Sequence, residues 1–470
     1  MRDALWTARQ AMAATGGMLV GELDWTCSGI SIDTRSIKPG DLFVALKDVR
    51  DGHEFVVDAM ARGAAACLVS DGSNAPGPAL QVKDTLVALR QMAEAARDRS
   101  SAVRIAVTGS VGKTSVKEAI AAVLRAAGPA HWSVKSYNNH WGVPLTLARM
   151  PANTARAVFE VGMNHAGEIR DLSALVRPHV ALITRIAPAH LEHLGTIEAI
   201  ADAKSEIFEG LETDGVAIYP ADDPHAPRLA NHARNSAAAF MLDFGRSAGA
   251  AIRVESFETG LGGSRGVVNV MGLSTPFTLA ATGEHWAWNV GAIFAAAAAS
   301  GLDAREVAAA LALVDAEPGR GRAVEVNLPQ GGSFTLLDDA YNANPVSMAA
   351  AISALGSAVP GAGGRRIAVL GDMLELGPQA DKLHRDLAPA LVEAGVDAVF
   401  TCGALMRNLQ DSLPDRLQAG HATSATDGLA PVASAIRSGD VVLLKGSNAS
   451  GLHKIAAVLA DGSAFTMTEA

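Results

Sequence analysis

Cysteine is scarce: Cys27, Cys67 and Cys402 are the only three in 470 residues. They lie far apart, are odd in number and share no metal-ligand spacing, which argues against a disulfide framework or a cysteine metal site. They read as small buried side chains in a reducing compartment. Aromatic residues make up only 4% of the chain, too few for the stacking platforms that grip single-stranded nucleic acid. Positive charge is also short: 39 Lys and Arg stand against 49 Asp and Glu, a formal net charge of −10. With no dense run of Lys and Arg, nucleic acid is not an expected partner. Long apolar runs are missing too. The most apolar stretch, Val290–Ala299, is mostly alanine and too short to span a bilayer. Arg2, Asp3, Arg9 and Gln10 break up the N-terminal stretch ahead of Gly16-Gly17, so no signal peptide is expected. No repeat of solenoid period is present. The expectation is a soluble, cytoplasmic protein with no membrane insertion.

What is present is globular composition, 49% apolar and 19% charged, in a chain long enough for several domains. The fold class read from it is α/β, in three segments. The first, residues 1–99, opens with an amphipathic helix that the glycine pair ends. Short strands at Leu42–Leu46 and Ala66–Ser70 follow, then a helix from Val87 to Arg97. The second, residues 100–316, alternates strands (Arg104–Val107, Ala157–Val161, Val180–Ile183) with helices, the pattern of a mainly parallel sheet. It closes with helices at Val290–Ser300 and Ala304–Leu313. A linker, Glu317-Pro318-Gly319-Arg320-Gly321, leads to the third, residues 317–470. There strands at Phe334–Leu337, Ile367–Leu370, Ala398–Thr401 and Val441–Leu444 alternate with helices in a second, smaller, Rossmann-like unit.

The most specific motif is Thr108-Gly109-Ser110-Val111-Gly112-Lys113-Thr114-Ser115, set between a strand and a helix. Glycines let backbone N–H groups turn inward around phosphate oxygens, and the helix N-terminus adds partial positive charge. Lys113 can reach the β and γ phosphates, and the Thr114 hydroxyl can ligate Mg2+. Val107 occupies the place of the general pattern's first glycine. A loop of this kind says nucleoside triphosphate, not which reaction.

Three further positions attract attention. Glu160 ends a strand, at the crevice of an open α/β sheet, where it can hold a hard cation; a surface loop carboxylate is the alternative. His190 follows Val180–Ile183 through Ala187-Pro188-Ala189. Taken singly it is more commonly a solvated or structural histidine. Lys204, in Ala203-Lys204-Ser205-Glu206-Ile207, reads first as a solvated lysine on a helix face.

Together and in order, these residues resemble the Mur ligase family. Thr108–Ser115 looks like its phosphate loop, Glu160–Ile169 like its acidic Mg2+ motif, and Ala189-His190-Leu191-Glu192 like its metal-binding histidine motif. Lys204 falls where that family carries a carbamylated lysine. Tyr137-Asn138-Asn139 with Gly142-Val143-Pro144 resembles the loop facing substrate and phosphates. Asn289 matches the adenine-side asparagine, Arg322 the arginine after the linker that contacts ATP, and Asp339 the nucleotide-contacting aspartate. Asp33-Thr34-Arg35 with Pro39–Phe43 is similar to the family's uridine-nucleotide-binding domain. Within the family, Asp338–Pro345, Gly371–Gly377 and Lys445-Gly446-Ser447 resemble the branch that adds D-alanyl-D-alanine to UDP-N-acetylmuramoyl-tripeptide. The Asp-Asn-Pro-Arg motif of the diaminopimelate-adding branch is missing. Departures are Arg185 and Ala187 for the usual Asn and Gly, Trp286 to Trp288 before Asn289, and Asn448 for an arginine.

The resemblance implies an ATP-dependent peptide ligase working through an acyl phosphate. Lys113, Glu160, His190 and Lys204 would be the catalytic set. Gly109 to Ser115, Asn289, Arg322 and Asp339 would bind ATP. Thr34, Arg35, Asn138, Asn139, Tyr341 and Asn344 would bind the other substrates. Two Mg2+ ions are expected, one on Thr114 and Glu160, one on His190 and carbamylated Lys204. The implied layout is a UDP-sugar domain, an ATP domain and a dipeptide domain that close together in a monomer. The alternatives are another amide ligase of the superfamily, such as an amino-acid-adding Mur enzyme or a folylpolyglutamate synthase, and a non-catalytic ATP-binding module.

Overall fold

The computed structural model describes residues 4–70, 75–134, 136–188, 191–260, 262–314 and 319–465. His190 lies outside the described residues. Three main sheets follow one another along the chain. The first runs Met18–Val20, Ala79–Gln81, Ala66–Val69, Asp41–Val44, Gly29–Ser31, parallel except at its first pair. The opening helix, Ala8–Thr15, is capped at its start by Thr7 and ends on Gly16, whose φ of 64° only glycine adopts freely. The expected helix at Val87–Arg97 spans Thr85–Asp98, started by the Asp84 carboxylate on two backbone N–H groups.

The central sheet has nine strands, in the order Leu273–Leu279, Gly263–Val270, Ile252–Gly260, Phe240–Gly245, Val216–Pro220, Val180–Ile183, Val103–Thr108, Arg156–Glu160, Ala130–Trp132. Side-chain alternation along Val103–Thr108 sorts its residues between two cores. Ile105 and Val107 join the cluster with the alanine-rich helix; Ala106 joins the cluster shared with the first sheet. The strands from Ile252 to Trp132 pair in parallel. The strands Ile252–Gly260, Gly263–Val270 and Leu273–Leu279 form antiparallel hairpins, which the expectation of a mainly parallel sheet did not contain. Met271 and Gly272, both at positive φ, make the two-residue turn that such a hairpin needs. The alanine-rich helix spans Trp286–Ala299, four residues longer at its start than expected, and is buried nearly all round.

The first sheet's layer is fixed onto the central one. The Trp6 indole N–H donates to Ala148 O at 2.9 Å, and the Arg99 guanidinium sits 3.9 Å over the Trp6 ring. Arg149 donates across to Ile30 O at 2.6 Å.

The third sheet runs Arg322–Asn327, Ser333–Asp338, Val441–Lys445, Arg366–Gly371, Ala398–Cys402, Gln418–Ala422, parallel but for the first pair. Chain order reverses around Val441–Lys445. A crevice therefore opens at the C-terminal ends of the adjoining strands, where Asp339 and Lys445 stand.

Candidate active site

The phosphate loop is shaped by what its glycines permit. At Gly109, φ is +151° and a side chain would run into Thr184. At Gly112, φ is +82° and a Cβ would come within 2.7 Å of Asn289 Oδ1. The loop delivers the chain into helix Lys113–Ala126, whose free N–H groups face the cavity. Lys113 Nζ curls back onto Gly109 O at 2.6 Å. Burial pushes the Lys113 ammonium below its ordinary range; Glu160 opposes the shift and Arg320 adds to it.

Around the loop stand groups from distant parts of the chain. Thr114 Oγ1 donates to Glu160 Oε2 at 2.8 Å, and Asn138 Nδ2 donates to Glu160 Oε1 at 2.8 Å. Glu160 is 1% exposed, so it is an interior carboxylate and not a surface loop acid. Lys204, at the end of helix Ile197–Ser205, is also 1% exposed. The solvated helix-face reading of this lysine is therefore wrong. Burial, and after it the charge on Lys113, drive the Lys204 ammonium well below the ordinary lysine range. Among the described residues no acid pairs with it.

The third sheet closes the other wall. Tyr341 Oη donates to Ser136 Oγ at 2.7 Å, and Ser136 Oγ lies 3.4 Å from Thr114 Oγ1. Arg320 lies 4.1 Å over the Tyr341 ring. Lys445 Nζ donates to Asp339 Oδ2 at 2.6 Å and to Asn342 O at 3.0 Å. Asn344 caps helix Pro345–Ser357 through Ser347 N–H at 2.9 Å. Asn139 holds the turn at Gly142 N–H, also at 2.9 Å.

These groups enclose a cavity of 410 Å3, the size of a small-molecule site. Of the residues singled out in the sequence, Ser110 to Ser115, Asn138, Asn139, Glu160, Lys204, Asn289, Asp339, Tyr341 and Asn344 line it. Gly109 shapes the loop from behind. Thr34 and Arg35 lie away from this cavity; Arg35 is paired with Asp33 at 2.7 Å on the surface of the first sheet's layer. Arg322 does not line the cavity. It is exposed at the start of strand Arg322–Asn327, its Cα opposite Asp338, and the linker arginine that lines the cavity is Arg320. Gly319 and Gly321, both at positive φ, turn the loop so that Arg320 points inward. Ser136, Arg185, His285, Trp288 and Lys445 also line the cavity. Of these, Arg185 and Trp288 carried a signal in the sequence as departures from the family pattern, and Lys445 as part of Lys445-Gly446-Ser447; Ser136 and His285 carried none.

The donors fit Mg2+. Among the described residues no group of three or more His, Cys, Asp and Glu side chains converges. A hydroxyl and one carboxylate leave room for phosphate oxygens and water, the shell that this ion prefers. Among the same residues, no helix is long and apolar enough to cross a membrane.

Comparison with known proteins finds matches over most of the chain. The model described as Mur ligase family, catalytic domain matches residues 26–111. Mur ligase middle domain matches 107–299, and Mur ligase, glutamate ligase domain matches 319–448. The UDP-N-acetylmuramoyl-tripeptide–D-alanyl-D-alanine ligase of Rickettsia prowazekii is 31% identical over 96% of this chain and 99% of the relative. The enzyme of that name from Escherichia coli is 38% identical over 82% of this chain and 84% of its own. A crystal structure of MurF from Acinetobacter baumannii matches with a TM-score of 0.83 at 29% identity, covering 97% of this chain and 99% of that one. With every segment matched, and in order, the chain belongs to the Mur ligase family.

Proposed function

We propose that this protein joins D-alanyl-D-alanine to UDP-N-acetylmuramoyl-tripeptide at the expense of ATP, giving the pentapeptide, ADP and phosphate. One observation carries the reading. A phosphate loop, a buried carboxylate, a buried lysine that no described acid pairs and the crevice of a second α/β unit meet in one cavity. They do so in a chain that is similar over nearly its full length to ligases named for this reaction.

A carboxylate is a poor electrophile in water, and phosphorylating it creates a leaving group. The γ-phosphorus of ATP bonds to a carboxylate oxygen while its bond to the β,γ-bridging oxygen breaks and ADP leaves. The amine of the dipeptide then attacks the acyl carbon, phosphate departs and the amine loses a proton. Such transfer needs charge neutralisation and alignment more than covalent help from the protein. Lys113 and the loop N–H groups would hold the β and γ phosphates. Thr114 and Glu160 would hold Mg2+, which when bound offsets phosphate charge. Asn289, Arg320 and Asp339 are assigned to the nucleotide, Asn138, Asn139, Tyr341 and Asn344 to the other substrates, and Thr34 and Arg35 to the uridine end.

Lys204 is assigned as a carbamate. Burial lowers the Lys204 pKa and so favours the neutral, nucleophilic amine: its nitrogen bonds to the carbon of CO2, one C=O π pair moves to oxygen, and a proton leaves to water. The product is an anion beside Lys113, so an attraction forms where the ammonium would be repelled. With His190 it would hold a second Mg2+. The three sheets are assigned, in chain order, to UDP-sugar, ATP and dipeptide. The enzyme is taken to act as a monomer in the cytoplasm.

The test is phosphate release from ATP with UDP-N-acetylmuramoyl-tripeptide, with and without D-Ala-D-Ala. Release requiring both, and lost in Lys113→Ala, is the expected result. Turnover only with a shorter UDP-peptide and a free amino acid would replace the substrate assignment.

A further inference from the structure

Two of this chain's departures from the family pattern touch each other. Arg185 follows strand Val180–Ile183, and Trp288 lies in the first turn of helix Trp286–Ala299. More than a hundred residues apart in sequence, they meet at the cavity wall, with the Arg185 guanidinium 4.9 Å from the centre of the Trp288 ring. Trp288 packs against the core that backs the central sheet, so its position is set from behind.

The backbone of Arg185 is fixed to the phosphate loop. Its carbonyl accepts the Ser110 N–H at 2.7 Å. Its neighbour Thr184 donates from Oγ1 to Val111 O at 2.6 Å, and from its backbone N–H to Thr108 O at 2.9 Å. The side chain therefore starts from the loop itself and is held by the indole. Among the described residues, no carboxylate pairs with it. A half-buried guanidinium that no described carboxylate pairs, in a cavity that also holds Lys113 and Arg320, is a receptor for negative charge. Its planar fork suits two phosphate oxygens at once. Stacking on the indole removes rotamer freedom before the ligand arrives, which lowers the ordering cost of binding.

We propose that Arg185, held by Trp288, is a phosphate-binding residue for the nucleotide, a second cation beside Lys113 that this chain has added to the loop. The proposal rests on the nucleotide reading of the cavity. It concerns the polyphosphate and not the purine, because the guanidinium rises from residues bonded to the loop's own backbone.

The test is calorimetric titration of the full chain with ADP and, separately, with tripolyphosphate. Neither titration contains the carboxylate or amine substrate, so a wrong assignment of the reaction leaves the result readable. Arg185→Ala should weaken both ligands by about tenfold or more, the size of one charge-assisted hydrogen bond, with the melting temperature unchanged. Arg185→Lys should recover part of the loss, since it keeps the charge but not the fork. Trp288→Ala should weaken both ligands by a smaller factor, and should add nothing in the Arg185→Ala background. Trp288→Phe, which keeps an aromatic face, guards against a folding defect. Unchanged binding of both ligands in Arg185→Ala overturns the proposal. So does a loss confined to ADP, which would make Arg185 a contact for the base.

Discussion

Replacing Lys204 by methionine should stabilise the carbon-dioxide-free protein while abolishing ligation. The side chain is 1% exposed, and methionine keeps most of its stem packed while removing the ammonium. Burial first, and the Lys113 charge second, hold the folded-state pKa well below the ordinary value. The unfolded lysine, with a pKa near 10.4, is protonated at neutral pH. Folding the neutral form therefore releases a proton, at a cost of at most about 4 to 5 kcal/mol near pH 7. Water in the adjoining cavity reduces that figure, so a gain of about 1 to 4 kcal/mol is expected, or about 2–4 °C in melting temperature for each kcal/mol in a domain of this size. The sign with pH follows from proton counting. The unfolded state binds more protons between the lowered folded pKa and the ordinary one, so wild-type stability rises with pH across that window. The advantage of Lys204→Met should be largest at the low end and close as pH climbs toward the lysine range. Urea unfolding in degassed buffer, repeated from neutral to alkaline pH, measures this. Added bicarbonate should stabilise the wild type and leave the variant unmoved. A variant less stable than wild type at every pH, or a gap independent of pH, would refute the reasoning.

The other predictions concern the closure contact, the interior and the thiols. Tyr341→Phe removes the 2.7 Å hydrogen bond to Ser136 while keeping the ring under Arg320. It should lower kcat/KM about fivefold, and Ser136→Ala should match it, with the double variant no worse than either in steady-state assays. Arg104, 7% exposed, donates to Glu212 at 3.0 Å and to the Val176 and Arg177 carbonyls. Glu212→Ala leaves that buried guanidinium without its carboxylate and should cost about 3 kcal/mol, read by urea unfolding. Burial pushes the thiols of Cys27 and Cys67 up to about 12 and that of Cys402 up to about 11. A thiol reagent near neutral pH should therefore modify none of the three in the folded protein and all of them after denaturation.

What could be read from the sequence was what is decided locally. Strands such as Val180–Ile183 sit in the interior on both faces, so their apolar runs were unbroken and their limits matched. The phosphate loop was legible because a strand, two glycines, a lysine and a helix are contiguous in the chain. The hairpins from Ile252 to Leu279 were missed because their faces carry mixed polar and apolar residues, although Met271-Gly272 was a usable turn signal. The motif pointed to Arg322 and left Arg320 in the linker, because a linear motif cannot say which side chain a pair of left-handed glycines turns inward. Lys204 has no local feature that marks it as buried, since helix Ile197–Ser205 carries charge as a surface helix would. Its burial depends on what packs over it.

The two tryptophans before Asn289 show the limit most sharply. In sequence they interrupt a pattern. In the fold Trp286 is core, Trp288 is the support for Arg185, and the helix runs through both without a break. Arg185 alone at that position would be a long, mobile cation beside the loop, and Trp288 alone would be a half-exposed ring at the rim of a polar cavity. Together each removes the other's cost: the ring covers one face of the guanidinium, and the guanidinium shields apolar surface from water while its N–H groups stay free for an anion. Neither departure has a physical reason until the distance between them is known.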